Sequence, residues 1–296
     1  MLFKSTNNNA FIYSALITFM LYSNLLIKAH ADDIRIVSPR SNNYYVELTR
    51  LVLSKNEHLY PKSKLILIDA SDITLGKKLV LLKRNDADVI WAGANAEREF
   101  KYLPVRIPLF RGLLGYRVLL IRQEDKDKFL QIKKPAELKK LIACQGSHWV
   151  DSDILEANGY SVSRVEDFNT LLKMLVKKRC DYFPRAIFEA NSDLKKAIKY
   201  FPNITLMDDL ILHYDLPAYY FVKKNNVALA HRLEQGLLAA FADGSFMKLM
   251  KKHKEFKYLF PLSKWNDKRY FELSSDILRD GSPIEKNKFW FDLQGK

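Results

Sequence analysis

Short apolar runs and amphipathic spacings take turns along most of this 296-residue chain. Ile34–Ser38 reads as a strand stopped by Pro39. Asn43 stands where it can cap a helix in which Tyr45, Leu48, Leu51 and Val52 recur at spacings of three and four. Lys64–Ile68 is a second short strand, Gly76–Arg84 a helix and Ala87–Trp91 a third strand. Alternation of this kind predicts an α/β unit on a mainly parallel sheet. A strand at Arg117–Ile121, a charged stretch and a helix begun by Pro135 lead into a second set. Its strands are Leu141–Cys144, Val162–Val165 and Asp181–Phe183, with helices at Trp149–Asn158 and Asn169–Lys177. The chain crosses back at Pro217–Val222 and continues into helices at Val227–Ala242 and Phe246–His253.

Two α/β sets joined by two strand-like crossings predict two lobes, residues 32–118 with 215–296 and residues 119–214. In such sheets a ligand lies beyond the carboxyl ends of the strands, here the cleft between the lobes. The extended crossings at Arg117–Ile121 and His213–Phe221 are the expected hinges.

The first 31 residues break the pattern. Lys4 precedes an apolar run from Ala10 to Ile27, and Ala29-His30-Ala31 has the small-residue spacing of a secretory cleavage site. The expectation is an exported protein cleaved near Ala31. The alternative is an uncleaved membrane anchor. This segment holds two lysines and no acid, so its loss lowers the formal charge from +14 to +12. The remaining lysines and arginines are dispersed and form no compact basic tract interleaved with aromatics, so a nucleic-acid partner is not expected. Cys144 and Cys180 match no metal spacing. Placed near opposite ends of neighbouring parallel strands, they are expected to remain two buried thiols.

The stretches Lys83–Val89 (KRNDADV), Ala94–Arg98 (ANAER), Pro135–Leu138 with Gln145-Gly146-Ser147, and Leu229–Met250 with Ala242-Asp243-Gly244 follow one another in a particular order. Together they resemble the type II periplasmic solute-binding proteins, in particular the family that captures amino acids for ABC transporters. The resemblance covers nearly all of the chain after residue 31. It implies a two-lobed α/β fold with two crossover strands, a periplasmic location, a small-molecule ligand, an ABC permease or membrane sensor as partner, and a monomer without metal or cofactor. It also implies that Arg98 holds a ligand carboxylate, for which a guanidinium fork is suited. Pairing of Arg98 with Glu97 or Glu99 is the alternative. Asn95 lies in the same segment. Gly146-Ser147 takes the place of a family Gly-Thr at a helix start, either as an anion site or as an ordinary N-cap.

The chain departs from that family at one place. An aspartate that meets the ligand's amino group is expected beyond the strand at Asp181–Phe183, yet Pro184-Arg185 stands there. An ammonium facing Arg185 would be repelled. The expectation is therefore an anionic ligand bridging Arg98 and Arg185, with Arg40 adding charge and Tyr44, Trp91 and Trp149 as aromatic walls. The alternative for Arg185 is a pair with Glu189 one turn on. No nucleophile, metal-ligand pair or phosphate loop points to an enzyme. The second functional reading is a dehydratase-like enzyme of the same superfamily acting on a cyclic carboxylic acid, with Asp151 or Glu189 as proton donor.

Overall fold

The computed structural model describes residues 33–38, 43–60, 62–69, 73–276 and 286–294. The expected signal segment and Arg40 lie outside the described residues. In chain order the first part runs β1 (Ile34–Ser38), α1 (Tyr44–Ser54), β2 (Leu65–Asp69), α2 (Leu75–Arg84), β3 (Val89–Gly93), α3 (Ala96–Lys101) and β4 (Tyr102–Val105). Next come β5 (Tyr116–Arg122), α4 (Lys126–Gln131), α5 (Pro135–Leu138), β6 (Ile142–Gln145), α6 (Val150–Ala157), β7 (Ser161–Arg164), α7 (Phe168–Val176), β8 (Tyr182–Ala186), α8 (Ala190–Ala197) and β9 (Ile204–His213). The last part is β10 (Ala218–Lys223), α9 (Val227–Ala242), α10 (Ser245–Lys252), β11 (Arg269–Glu272) and α11 (Lys286–Phe289).

The strands form two sheets, in the orders β2-β1-β3-β10-β4 and β11-β9-β5-β8-β6-β7. Apart from β11 they share one topology. The first strand of each set (β1, β6) lies between the second (β2, β7) and the third (β3, β8), all parallel. A crossing strand then runs antiparallel between the third and fourth: β10 in the first sheet, β5 in the second. Each lobe is thus closed by a strand that the chain delivers from the other lobe, as the two crossings predict.

The local signals hold where the reason is local. The Asn43 side chain accepts from the Tyr45 amide at 2.9 Å and starts α1 as expected. Its apolar stripe is buried, with Leu48 and Val52 inaccessible to solvent. What the pattern left out are the elements without period. These include β4, the ten-residue β9, whose Asp208-Asp209 pair interrupts its apolar run, β11 and the short helices α3 and α4.

Three expectations change. Arg117–Ile121 is hydrogen-bonded on both sides within the second sheet, so the chain passes between lobes just before it, at 106–115, and again at 214–217. Residues 215–296 do not all accompany the first lobe, because β11 pairs in parallel with β9, Arg269 facing Leu210 and Glu272 facing His213. Cys144 and Cys180 are a disulfide, not two thiols, with Cα atoms 5.6 Å apart. Cys180 sits in the bend that precedes β8, after Lys178 in the left-handed region, so it is not held to the strand spacing that the separation argument assumed.

The bridge closes a loop of 36 positions beneath α7. Non-reducing mass mapping should find Cys144 and Cys180 linked without free thiol, and the Cys144→Ala/Cys180→Ala pair should lose stability, up to about 4 kcal/mol by the loop-entropy relation. Full alkylation of the unreduced protein under denaturant would contradict the linkage.

Candidate functional site

Between the two sheets lies a cavity of about 440 Å³. The first lobe contributes Ile73, Thr74, Leu75 and Lys78 from the start of α2, Trp91 to Gly93 from the end of β3, and Arg98 from α3. The second contributes Trp149 to Asp151 at the start of α6, Glu166 to Asn169 at the start of α7, Arg185 near the end of β8 and Glu189 beyond it. Leu114 and Arg117 come from the crossing. The cleft is therefore at the carboxyl ends of the parallel strands, the place the α/β topology reserves for ligands.

The two lobes touch across the cleft. Arg98, buried on the first lobe, donates to Gly93 O at 2.5 Å and across to His148 O of the second lobe at 2.6 Å. Asn95 prepares this by capping α3, its Oδ1 accepting from the Arg98 amide at 2.9 Å. At the rim, Gly76 lies so close to the His148 ring that a Cβ there would stand 3.0 Å from Cδ2. The His148 Nε2 meets Glu166 Oε1 at 2.6 Å.

Charge in the cleft is divided into satisfied and unsatisfied parts. Arg117 forms a buried ion pair with Asp151, and Tyr214 completes the triangle by accepting from Arg117 Nε at 3.2 Å and donating to Asp151 Oδ1 at 2.5 Å. Burial holds the Tyr214 phenol well above its usual value, so it stays a donor. Arg185 donates from Nη2 to Glu189 Oε2 at 2.8 Å and from Nε to Asp193 Oδ2 at 2.7 Å. Burial raises the Glu189 carboxyl, against the opposing pull of Arg185. Asp167 caps α7 through the Thr170 amide at 2.7 Å. Neither Arg98 nor Lys78 has a carboxylate partner among the described residues. Glu97 is taken by Lys101 and Glu99 by Arg106, which removes the pairing alternatives for Arg98. Burial lowers both the Arg98 guanidinium and the Lys78 ammonium from their usual values, the signature of positive charge brought out of water.

Of the residues singled out in the sequence, Arg98, Arg185, Trp91, Trp149, Asp151 and Glu189 line the cavity. Arg185 is there as the centre of an ion-pair cluster, with Trp149 against its guanidinium at 4.9 Å. Trp91 is held edge-on by Phe110 at 5.1 Å. Tyr44 is core: its hydroxyl donates to Leu109 O at 3.2 Å and its ring packs on Phe256. The Ser147 amide is occupied by Val165 O at 3.3 Å, and the α6 helix starts later, at Val150. Asp181, at the near end of β8, accepts from the Ile142 amide at 2.9 Å, away from the cleft. Sequence reasoning missed Lys78 and Arg117. Lys78 falls on the apolar spacing of α2 next to Leu75 and Leu79, the one signal that it faces inward.

No protein-family model matches the chain, and no curated protein does. Solved structures do. An amino acid ABC transporter substrate-binding protein from Streptococcus pneumoniae, bound to L-arginine, aligns with a TM-score of 0.58 at 13% identity over 78% of this chain and 97% of its own. A histidine kinase sensor domain with similarity to periplasmic binding proteins aligns at 0.56 and 14%, over 75% and 96%. The GluR0 ligand-binding core from Nostoc punctiforme, in complex with L-glutamate, aligns at 0.52 and 18%, over 76% and 98%. The chain has the two-lobed α/β fold of the type II periplasmic binding proteins.

Proposed function

We propose that this protein is an exported, periplasmic solute-binding protein that captures a small anionic or amino-acid-like ligand between its lobes, for an ABC transporter or a membrane sensor. One observation carries the charge: among the described residues the cleft's carboxylates all have protein partners, whereas Lys78 and Arg98 bring positive charge with no described carboxylate paired to it. Burying an unpaired cation is costly, and a ligand carboxylate at this wall removes the cost. The apolar side chains of Leu75, Trp91, Val150 and Phe168 leave room for a hydrocarbon body. Structural relatives bound to arginine and to glutamate support capture of amino-acid-sized molecules in this fold, and one that is a sensor domain supports either kind of partner. In this reading Arg98 also closes the cleft, and Arg185 braces the second lobe behind the ligand.

The dehydratase-like reading has Glu189 in its favour, a cleft carboxyl raised by burial. Its bond to Arg185 opposes protonation, and incubation with cyclic carboxylic acids, watching for product, tests it directly.

A thermal-shift screen against dicarboxylates, acidic amino acids, neutral amino acids and arginine should find its largest shift among the acids. Stabilisation of about 2.7 kcal/mol is expected at a hundred times the dissociation constant. With the best acid, Lys78→Ala and Arg98→Ala should each weaken calorimetric affinity about ten- to a hundredfold, the worth of a charge-assisted bond. A cation as best ligand would overturn the reading. Affinity should also fall as pH rises through the lowered Lys78 value, because only the ammonium attracts the acid, and Lys78→Met should lose that dependence. Arg185→Ala should behave differently, losing about 3–5 kcal/mol of folding stability because Glu189 and Asp193 are left buried without their partner.

A further inference from the structure

Behind the hinge, on the face away from the cleft, the chain's last described segment touches both lobes and the crossing between them. Phe289 meets Phe241 of α9 edge-on at 5.0 Å, on the first lobe. Trp290 covers Gly112, whose φ of 80° and absent side chain make the approach possible, since a Cβ there would fall inside the indole. The Phe291 amide donates to Arg111 O at 2.9 Å, and its ring lies 4.3 Å from the Arg111 guanidinium. Leu293 is fully buried and its amide approaches the Tyr116 hydroxyl at 3.5 Å. Gln294 donates to Glu272 Oε1 at 2.5 Å, on β11 of the second sheet.

Strand geometry explains why these contacts sit behind the cleft. Successive side chains of a strand point to opposite faces, so Arg117 enters the cavity while Tyr116 points backwards. There Tyr116 stacks on His213 at 4.0 Å, and His213 bonds Glu272 Oε2 at 2.6 Å, the same carboxylate that receives Gln294. The segment thus grips one passage of the chain between the lobes through Arg111 and Gly112, and through Glu272 it reaches His213, where β9 ends and the other passage begins.

We propose that residues 288–294 act as a strap that ties the two lobes together across the back of the hinge and biases the cleft toward its closed form. Rotating one lobe against the other must stretch or break contacts anchored on both. Bonds made in the closed arrangement therefore favour that arrangement over an open one. The strap's place at the hinge stands independently of the ligand; only its effect on affinity rests on the solute-capture reading. If loosening the strap lowers the closed population about tenfold, apparent affinity for the ligand falls by the same factor.

The test uses the full mature chain without ligand. Small-angle scattering on the parent and on Trp290→Ala/Phe291→Ala should show a larger radius of gyration for the variant, with unchanged far-ultraviolet dichroism. Hydrogen exchange should rise at 111–116 and at 213–216. If the double variant does not fold, Phe291→Leu and Gln294→Ala carry the same comparison. A folded variant with the parent's radius and the parent's exchange at both crossings overturns the proposal. Since no ligand enters the measurement, a failed acid screen leaves this result standing, and a failed strap leaves the charge reading standing.

Discussion

The two passages of the chain between lobes lie backbone against backbone. The Tyr214 amide donates to Gly115 O at 3.2 Å, and a Cβ on residue 115 would overlap the Tyr214 carbonyl oxygen. Only glycine permits this approach. From it follow the pairing of Tyr116 with His213 and the insertion of β5 and β10 as the closing strands of their sheets. Two narrow crossings side by side make a hinge, because few dihedrals join two separately packed bodies. They also divide the molecule into a front, where Arg117 and Leu114 line the cleft, and a back, where Tyr116 and Gly112 receive the end of the chain.

Electrostatics then assigns different work to similar side chains. Arg117 and Arg185 are buried at the cleft but answered by carboxylates, Arg117 by Asp151 and Arg185 by Glu189 and Asp193. Such pairs add little net stability yet cannot lose a member cheaply, so they hold the second lobe's wall in one arrangement. Arg98 instead spends its two terminal nitrogens on carbonyl oxygens, one from each lobe. It thereby ties the two lobes together at the cleft without a carboxylate partner among the described residues. Lys78 is its counterpart on α2, a compact charge on a flexible stem at the cavity wall.

Patterns of period two and near 3.6 in the sequence sufficed for most helices and for the three parallel strands of each set, because they reflect local burial demands that each segment meets in the same way. The Asn43 cap and the Val227–Ala242 helix are cases in which a few adjacent residues carry the whole reason. The same holds for Arg98, whose place after Asn95 in ANAER matches its place at the cleft. Tertiary structure alone decided what depends on partners distant in the chain. Whether Arg185 is free or paired turns on Asp193, which the fold brings to its Nε. Whether Cys144 and Cys180 join turns on the bend before β8. Which lobe receives Arg269–Glu272 turns on the open edge of β9. Lys78, an ordinary helix lysine by sequence, becomes a cleft cation only because α2 is pressed against the facing lobe. Periodicity reports which face of an element is buried. It carries no information on what that face meets.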